Sequence, residues 1–271
     1  MVTDVAALAQ SRLPLYRREF AMTETEDRPL VGRTVVVAGA TGGIGEGVTL
    51  ALLRQGARVV AAGRSASSLE RLAEYAHGVG PGALVTELVD VGGPDTDAVR
   101  RTLAPYGALD GAVVTIGNAG PRGRTGLQET SDQAYAEMIE DNLTSHFHAL
   151  RSLTPLLSRK GALVHLSGYS AEIPFPFAAL MAATNAAKKS LVRSLAAELD
   201  GNGPRVYELV IGPIRTRPRA AIGADSPGWY SAEDLGHHAG LLIAGDGTYA
   251  DVSLQYLLDH AHGVQVKSSS A

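Results

Sequence analysis

From residue 34 onward the chain alternates short apolar runs with longer amphipathic stretches, and this alternation limits the possible folds more than any other feature. The apolar runs are 34–38, 58–62, 83–89, 111–116, 161–167, 205–211 and, more weakly, 250–256. Apolar residues at the three- and four-residue spacing of helices mark the stretches 43–55, 66–77, 95–104, 131–157 and 178–200. Strands that are apolar throughout, each followed by a helix, form parallel sheets covered on both faces. The sequence therefore predicts an α/β fold built on a parallel sheet.

The length of 271 residues suits one large α/β domain, which we place at 31–264. Residues 1–30 are charged and show no strand pattern, so they are predicted to form an N-terminal extension. The polar end at 265–271 is predicted to be a flexible tail.

Composition excludes several classes of function. The chain has no cysteine, which excludes disulfides and thiolate metal sites, and its histidines lack the spacing of a metal site. The net charge of −4 gives no reason to expect nucleic acid or an anionic membrane as a partner. No apolar run approaches the roughly 20 residues of a membrane span, and the N-terminus lacks the pattern of a secretory signal. We expect a cytoplasmic protein with a small-molecule substrate.

A glycine-rich turn follows the first strongly apolar run. Gly39, Gly43 and Gly45 stand where the predicted strand meets the next helix. Glycine there allows a tight turn and lets backbone N–H groups approach a pyrophosphate, to which the helix N-terminus adds partial positive charge. A plain flexible turn is the alternative, but the position between a strand and a helix favours a nucleotide site.

The second strand is followed by Arg64 rather than by an acidic residue. In dinucleotide-binding folds the adenosine ribose lies at this point, where a carboxylate binds its hydroxyls and a guanidinium matches a 2′-phosphate. The sequence therefore favours NADP(H) over NAD(H) as cofactor. The alternative is that Arg64 is a solvated surface charge.

Residues 31–256 taken together resemble the short-chain dehydrogenase/reductase superfamily. The segments that match its motifs are GATGGIG at 39–45, Asp90–Val91, GNAG at 117–120, Asn142 and IGPIRT at 211–216. Two family residues differ, since Gly117 and Ile211 stand in place of an Asn and a Pro. The cofactor-binding residues that the resemblance implies are Gly39, Thr41, Gly43, Ile44, Gly45, Arg64, Asp90, Val91, Asn118, Ala119, Gly120, Asn185, Gly212, Ile214 and Thr216.

The resemblance also implies a fold, an activity and an assembly. The fold would be a Rossmann-like, doubly wound sheet of about seven strands with helices on both faces. The activity would be that of an NAD(P)-dependent oxidoreductase. The assembly would be a homodimer or homotetramer in which the helices at 131–157 and 178–200 meet their copies.

The family's catalytic residues are a Ser on the fifth strand, a Tyr-x-x-x-Lys on the following helix, and an Asn that supports a water relay. The segment RSLAAEL at 193–199 fixes the register, which puts Gly168, Met181 and Asn185 at the Ser, Tyr and Lys positions and keeps only Asn142. A thioether has no exchangeable proton, an amide carries no charge, and glycine has no hydroxyl. Ordinary ketone reduction by the family mechanism is therefore expected to be severely impaired.

Two side chains beyond the fifth strand offer a partial replacement. Tyr169 joins Asn142 as a candidate catalytic residue, because either it or Ser170 could turn inward where the strand ends. A shift of register cannot restore the phenol, since no Tyr lies anywhere in 170–206.

The remaining basic side chains are expected to lie outside the chemistry. Lys188 and Lys189 are expected at the rim of the subunit contact or in water. Structural or solvated roles are expected for the histidines, which are His146, His148, His165, His237 and His238. The last two lie near the segment 213–235, which in the family closes over the substrate. Arg215, Arg217 and Arg219 of that segment fit an anion site and a solvated loop equally well.

The substrate pocket is expected to be apolar, because Phe175, Phe177 and Met181 would line it. Such a pocket suits an aromatic or polycyclic ligand better than a sugar. One function left open is an oxidoreductase that transfers hydride to an activated acceptor such as an enone, quinone or iminium, or a non-redox step in the same pocket, such as cyclisation or dehydration. The other is a non-catalytic cofactor-binding sensor or partner subunit.

Overall fold

A computed structural model of the chain describes residues 28–117, 125–246 and 248–267. It also describes the backbone of residues 15–17. They form one nine-stranded sheet with helices packed on it. In chain order the strands are β1 Leu15–Arg17, β2 Thr34–Ala38, β3 Arg58–Gly63, β4 Ala83–Leu88, β5 Leu109–Val114, β6 Leu157–Gly168, β7 Arg205–Ile211, β8 Leu254–Leu257 and β9 Val264–Lys267.

The strand order across the sheet is β1-β9-β8-β7-β6-β5-β2-β3-β4. The seven strands β2 to β8 are parallel, whereas β9 pairs antiparallel with β8, and β1 pairs antiparallel with β9. The connections leave β2 and β5 in opposite directions, which is the doubly wound arrangement. The predicted Rossmann-like parallel sheet is confirmed.

Helices cover both faces of this sheet. In chain order they are α1 Gly43–Arg54, α2 Ala66–Tyr75, α3 Thr96–Leu103, α4 Asp132–Ile139, α5 Ser145–Leu153, α6 Ala179–Leu199, α7 Arg217–Ala221 and α8 Ala232–Ala244. Short 3₁₀ turns occur at Ala104–Tyr106, Leu127–Glu129, Thr154–Leu156 and Tyr169–Ala171. No helix within the described ranges is long and apolar enough to cross a lipid bilayer.

The core consists of two layers because successive strand residues point to opposite faces. Along β2, Val35 and Val37 pack in the layer beneath α1 and α8, while Val36 packs in the layer beneath α3, α5 and α6. All three side chains are fully buried. Burial on both faces explains why the last four residues of this strand are all apolar and stand out in the sequence.

Three elements differ from the sequence predictions. Residues 264–267 form a strand, so the first part of the predicted tail is paired in the sheet. Residues 15–17 of the predicted extension pair with that strand. The predicted helix 131–157 consists of α4 and α5 joined by a π-helical turn at Glu140–Thr144, and it ends in a 3₁₀ turn. A π turn inside a helix often marks a functional site.

Candidate cofactor and active site

The direction of strand connection reverses at the carboxyl ends of β2 and β5, and we call the space outside these two strand ends the crevice. Ligands of doubly wound sheets bind at such a point. Gly39 follows β2 with a φ of +83°, and a Cβ on it would lie 3.1 Å from the backbone nitrogen of Ile116, which follows β5. Both the left-handed backbone and the close approach require glycine here.

The first turn of α1 packs directly on this glycine turn. A Cβ on Gly45 would lie only 2.1 Å from the carbonyl oxygen of Gly39, so helix and turn can meet only if residue 45 is glycine. Among the described residues, no side chain caps this helix at Gly42, so the N–H groups of its first turn can bind an anionic ligand. Thr41 and Ile44 are half-buried in the same turn.

The segment after β7 forms the opposite wall of the crevice. A Cβ on Gly43 would lie 3.2 Å from Cβ of Thr216, so the glycine turn and this segment are in contact. Ile214 is buried, and a Cβ on Gly212 would lie 2.2 Å from the carbonyl oxygen of Leu258. The structure therefore brings the predicted residues 212, 214 and 216 together with the glycine turn.

Arg64 directly follows β3 and is exposed. Within the described part of the chain, its guanidinium makes no hydrogen bond or ion pair. Its neighbour Ser65 caps α2 by accepting a hydrogen bond from the backbone N–H of Ser68 at 3.3 Å. An unpaired guanidinium beside a helix N-terminus is available to bind a phosphate group.

The adenine side of the predicted cofactor site is built on the turn after β4. The Oδ1 atom of Asp90 accepts a hydrogen bond from the N–H of Gly92 at 3.1 Å, which holds this turn. Val91 is buried behind it. Asn118, Ala119 and Gly120 of the predicted cofactor site lie outside the described residues.

Gly168, Ser170 and Asn185 meet at the end of β6. A Cβ on Gly168 would lie 2.6 Å from Nδ2 of Asn185 and 3.6 Å from Oγ of Ser170. Nδ2 of Asn185 also donates a hydrogen bond to Oγ of Ser170 at 3.0 Å. Positions 168 and 185 are therefore neighbours in space, and Ser170 places a hydroxyl close to where a side chain at 168 would begin.

Tyr169 does not join this group. Its side chain is buried among Ile173, Val210, Tyr256 and Leu258. Burial raises the pKa of its phenol, and Glu172 raises it further. The structure thus turns Ser170, the other predicted alternative, toward Asn185.

Met181 is half-buried on α6, one turn before Asn185. Asn142 lies in the π-helical turn, buried, with Nδ2 donating to the carbonyl oxygen of Met138 at 3.3 Å. The Oδ1 atom of Asn142 lies 3.4 Å from the position of a Cβ on Gly117. The Asn142 amide is therefore held at the segment that follows β5.

Two of the three arginines that were predicted to face an anion or solvent, Arg217 and Arg219, have protein partners. Arg217 binds both carboxylate oxygens of Glu46, at 2.7 and 2.6 Å. Nη1 of Arg219 donates to the carbonyl oxygen of Ile214 at 2.9 Å. Arg217 thus links the segment after β7 to the first turn of α1. Because this ion pair is exposed, it stabilises the contact between the two segments only modestly.

The other basic side chains form contacts within the protein. Nε2 of His238 lies 2.6 Å from Oε1 of Gln255 in β8, and burial lowers its pKa to about 4, so it packs as a neutral ring, in the structural role expected of it. The prediction for Lys188 is wrong, because this residue is buried beneath α6 instead of lying at a subunit rim or in water. Lys189 is half-buried and forms an ion pair with Glu172.

A buried polar cluster lies between the sheet and helices α5 and α6. His146 Nδ1 is 2.7 Å from His165 Nε2, and His165 Nδ1 is 2.6 Å from Oε2 of Glu208. The hydroxyl of Ser167 donates to the other oxygen of Glu208. All four side chains are buried, as is Lys188 nearby. No sequence motif marks this cluster, because its members come from separate elements.

Lys188 makes the stability of the fold depend on pH. Burial lowers its pKa to about 8 from 10.5, and Glu208 opposes part of the shift. Between pH 8 and 10.5 the unfolded chain therefore binds more protons at this residue than the folded chain, so that raising the pH stabilises the fold. From pH 7.5 to 9.5 we expect the free energy of unfolding to rise by about 2 kcal/mol relative to Lys188→Met.

Urea unfolding of both chains at these pH values measures the effect. Lys160→Met, which removes an exposed lysine, is the control for the loss of one charge. Parallel pH curves for the natural chain and Lys188→Met would contradict the prediction.

The chain is similar to known oxidoreductases in sequence and in fold. Residues 39–239 match the family model described as enoyl-(acyl carrier protein) reductase. An uncharacterised oxidoreductase of Myxococcus xanthus is 31% identical over 233 residues, covering 83% of this chain and 88% of that protein. A 1-deoxy-11-beta-hydroxypentalenate dehydrogenase of Streptomyces avermitilis is 34% identical over 209 residues, covering 70% and 74%. A solved short-chain dehydrogenase/reductase of Mycobacterium ulcerans matches with a TM-score of 0.75 and 24% identity, over 84% of this chain and 89% of that one.

Proposed function

Because this chain belongs to the short-chain dehydrogenase/reductase superfamily of oxidoreductases, we propose that it transfers hydride with NADP(H) at a site without the usual tyrosine proton donor. The observation that carries the proposal is the meeting of Gly168, Ser170 and Asn185 at the end of β6. Members of this family bind a nicotinamide dinucleotide, and most of the residues that its motifs use for that task have a match in this sequence. The tyrosine that is expected to move a proton in this family is not kept.

The residues around the crevice fit such a cofactor. The turn at Gly39 and Gly45 leaves no room for side chains, so backbone N–H groups can reach a pyrophosphate. When bound, the nicotinamide ring supplies or accepts a hydride. Ile214 and Thr216 would hold its carboxamide end, and the Asn185 amide would bond to the adjoining ribose.

Arg64 would select NADP(H) through the 2′-phosphate, and the variant Arg64→Ala tests this. A charge-assisted hydrogen bond contributes about 1.5–3 kcal/mol, so we expect NADPH binding to weaken about 10- to 100-fold while NADH binding stays the same. Calorimetric titration with each nucleotide measures both affinities. Arg71→Ala on the same helix α2, where Arg71 bonds to Ser68, is the matched control. Equal affinities of the natural chain for NADPH and NADH would refute the preference.

The chain's own polar groups define what the site can do to a substrate. The Ser170 hydroxyl can donate to a substrate oxygen, while the Asn185 amide, which bonds to it, fixes its orientation. Neither group is a strong acid, and the Met181 thioether has no proton to give. We therefore propose an acceptor that is reactive toward hydride without prior protonation, such as an enone, quinone or iminium.

Exposed apolar side chains in the loop before α6 and just after α7 favour an apolar or polycyclic ligand. Phe177, in the loop before α6, is 72% exposed, and Ile222, just after α7, is 78% exposed. Phe177 also has a φ of +61°, a conformation that is unusual for a bulky residue. Covering these side chains with a hydrophobic ligand would remove apolar surface from water.

Two alternatives belong to the same site. A non-redox step such as cyclisation or dehydration would use the apolar pocket without hydride transfer. A non-catalytic sensor or partner subunit would bind NADP(H) without turnover. Oxidation of NADPH by 1,4-naphthoquinone in the presence of the protein separates the proposed reductase from both, since only the reductase consumes NADPH.

The proposed assembly is a homodimer or homotetramer through α5 and α6. Phe147 on α5 and Leu191 on α6 are exposed apolar side chains on these helices. Light scattering of the natural chain measures the oligomeric state, and a monomer at micromolar concentration would exclude this assembly.

A further inference from the structure

A separate cavity lies at the opposite edge of the sheet from the cofactor crevice. Its walls come from the amino ends of β6 and β7, the last turns of α6 and the end of α8. Its volume of about 850 Å³ lies in the range of small-molecule sites. The crevice lies at the carboxyl ends of the same parallel strands. Because a strand rises about 3.3 Å per residue, the seven residues of β7 keep the two sites well apart.

The charged side chains around this basic cavity are almost all cationic. They are Arg33, Arg159, Lys160, Arg193, Arg205 and Asp251. Five cations and one carboxylate give the lining a positive formal charge, although the whole chain has a net charge of −4. A cleft lined by one sign of charge raises the local concentration of ligands of the opposite sign. The basic cavity therefore favours an anion.

Two of these arginines are held by backbone carbonyls. Nη1 and Nη2 of Arg33 donate to the carbonyl oxygens of Ile243 and Ala244, each at 3.2 Å. Arg205 donates to the carbonyl oxygens of Leu242 and Ile243 at 2.9 and 3.0 Å. These carbonyls end α8, and a helix C-terminus carries partial negative charge. The two guanidinium groups offset that charge, which would otherwise repel an anion, and their orientation is fixed before a ligand binds.

The other three cations have unused hydrogen-bond donors. Arg159, Lys160 and Arg193 are exposed, and within the described ranges their side chains make no hydrogen bond or ion pair. They come from β6 and from α6, so the fold brings them to one cavity from separate elements. A guanidinium presents parallel N–H donors that match two oxygens of one phosphate group, and an ammonium adds a point charge.

Arg193 faces away from the proposed subunit contact. An α-helix turns about 100° per residue, so Arg193 lies on the other side of α6 from Leu191. Ala196 and Ala197 share its side and line the basic cavity, whereas Leu191 and Leu195 line a groove against α5. Pairing of α5 and α6 with their copies through Leu191 would therefore leave the basic cavity uncovered.

We propose that the basic cavity is a second binding site, which takes a small polyphosphate anion such as the triphosphate group of a nucleotide. Several phosphate groups on one ligand can contact cations from β6, α6 and β7 together, which a single carboxylate cannot do. The cations surround one cavity, whereas a basic stripe along the surface is typical of nucleic-acid binding. The proposal is independent of hydride transfer, because the basic cavity shares no residue with the crevice.

Calorimetric titration with inorganic tripolyphosphate at low salt tests the site. We expect the natural chain to bind it and the double variant Arg159→Gln, Arg193→Gln to bind at least about tenfold more weakly, because charge-assisted hydrogen bonds are lost. The control is Arg71→Gln, Arg101→Gln, which removes two exposed arginines elsewhere and should keep the natural affinity. An absence of binding to the natural chain, or equal affinities of the two double variants, would overturn the proposal.

The variant Arg64→Ala distinguishes the basic cavity from the cofactor crevice. Its affinity for tripolyphosphate should equal that of the natural chain. If Arg64→Ala lost the binding and the variant of Arg159 and Arg193 kept it, the anion would occupy the crevice and the proposal would be wrong.

Titration with ATP identifies the source of the polyphosphate. Tighter binding of ATP than of tripolyphosphate, with the same dependence on Arg159 and Arg193, would identify a nucleotide as the ligand. Equal binding would identify the phosphate chain alone, and both results support the site. A single-stranded RNA that bound more tightly than either through the same arginines would overturn the proposal in favour of nucleic acid.

Labelling of the natural chain tests the site without any variant. Lys160 is acetylated with an N-hydroxysuccinimide ester of acetate, with and without saturating tripolyphosphate, and the extent is measured by mass spectrometry. We expect the anion to slow the labelling of Lys160 severalfold and to leave Lys189, which pairs with Glu172 outside the basic cavity, unchanged. Unaltered labelling of Lys160 would show that the anion does not enter the basic cavity.

Discussion

A chain carrying Gly168→Ser, Met181→Tyr and Asn185→Lys together is expected to reduce a simple ketone such as acetophenone with NADPH, at least about 10²-fold faster than the natural chain. Positioned acid–base catalysis contributes on the order of 10² to 10⁴, and the triple variant restores a phenol as proton donor. The ammonium at 185 would lower the pKa of that phenol, because an opposite charge favours the phenolate. The rate of NADPH oxidation with acetophenone is the measurement.

The structure explains why the serine cannot be restored alone. Its Cβ would lie 2.6 Å from Nδ2 of Asn185, so Gly168→Ser requires the Asn185 side chain to move. The double variant Gly168→Ser, Asn185→Lys, which still lacks the phenol, is therefore the control and is expected to stay at the background rate. Brisk ketone reduction by the natural chain would show that the three replaced residues do not limit its chemistry.

The sheet could be predicted from the sequence because its central strands are buried on both faces. The bounds of β2 at Thr34–Ala38 and of β7 at Arg205–Ile211 agree with the predicted runs residue for residue. The edge pair at Leu15–Arg17 and Val264–Lys267 was missed, because short antiparallel edge strands carry no long apolar run. The π-helical turn at Glu140–Thr144 was missed as well, since the apolar spacing continues through it.

The site was predictable only where one local segment carries it. The glycine turn, Arg64 and the segment ending at Thr216 were visible as motifs, and the structure brings the first and last of these together. The choice between Tyr169 and Ser170 depended on how the chain turns after β6, which strand alternation does not determine. The sequence did not predict the cluster of His146, His165 and Glu208. These residues are far apart in the sequence, and only the folded sheet brings them within hydrogen-bonding distance.

Replacing Gly45 by Ala is expected to abolish NADPH binding and to destabilise the fold by about 3 kcal/mol or more. Its Cβ would lie 2.1 Å from the Gly39 carbonyl oxygen and 2.8 Å from Cα of Ala40, and both contacts are backbone atoms that no rotamer change can move. Overpacking of a tight site costs typically about 1–3 kcal/mol and more when the backbone must shift. Here α1 would have to move away from the turn that is proposed to hold the pyrophosphate, so stability and binding fall together.

Urea unfolding and calorimetric titration with NADPH measure the two losses. Gly42→Ala is the matched control for stability, because a Cβ there would lie 3.4 Å from its nearest heavy atom and residue 42 is exposed. We expect it to change the free energy of unfolding by less than about 1 kcal/mol, as for a change of helix N-cap. If Gly45→Ala kept normal stability and NADPH affinity, the contact between α1 and Gly39 could not be what shapes the binding turn, and the cofactor would have to bind elsewhere.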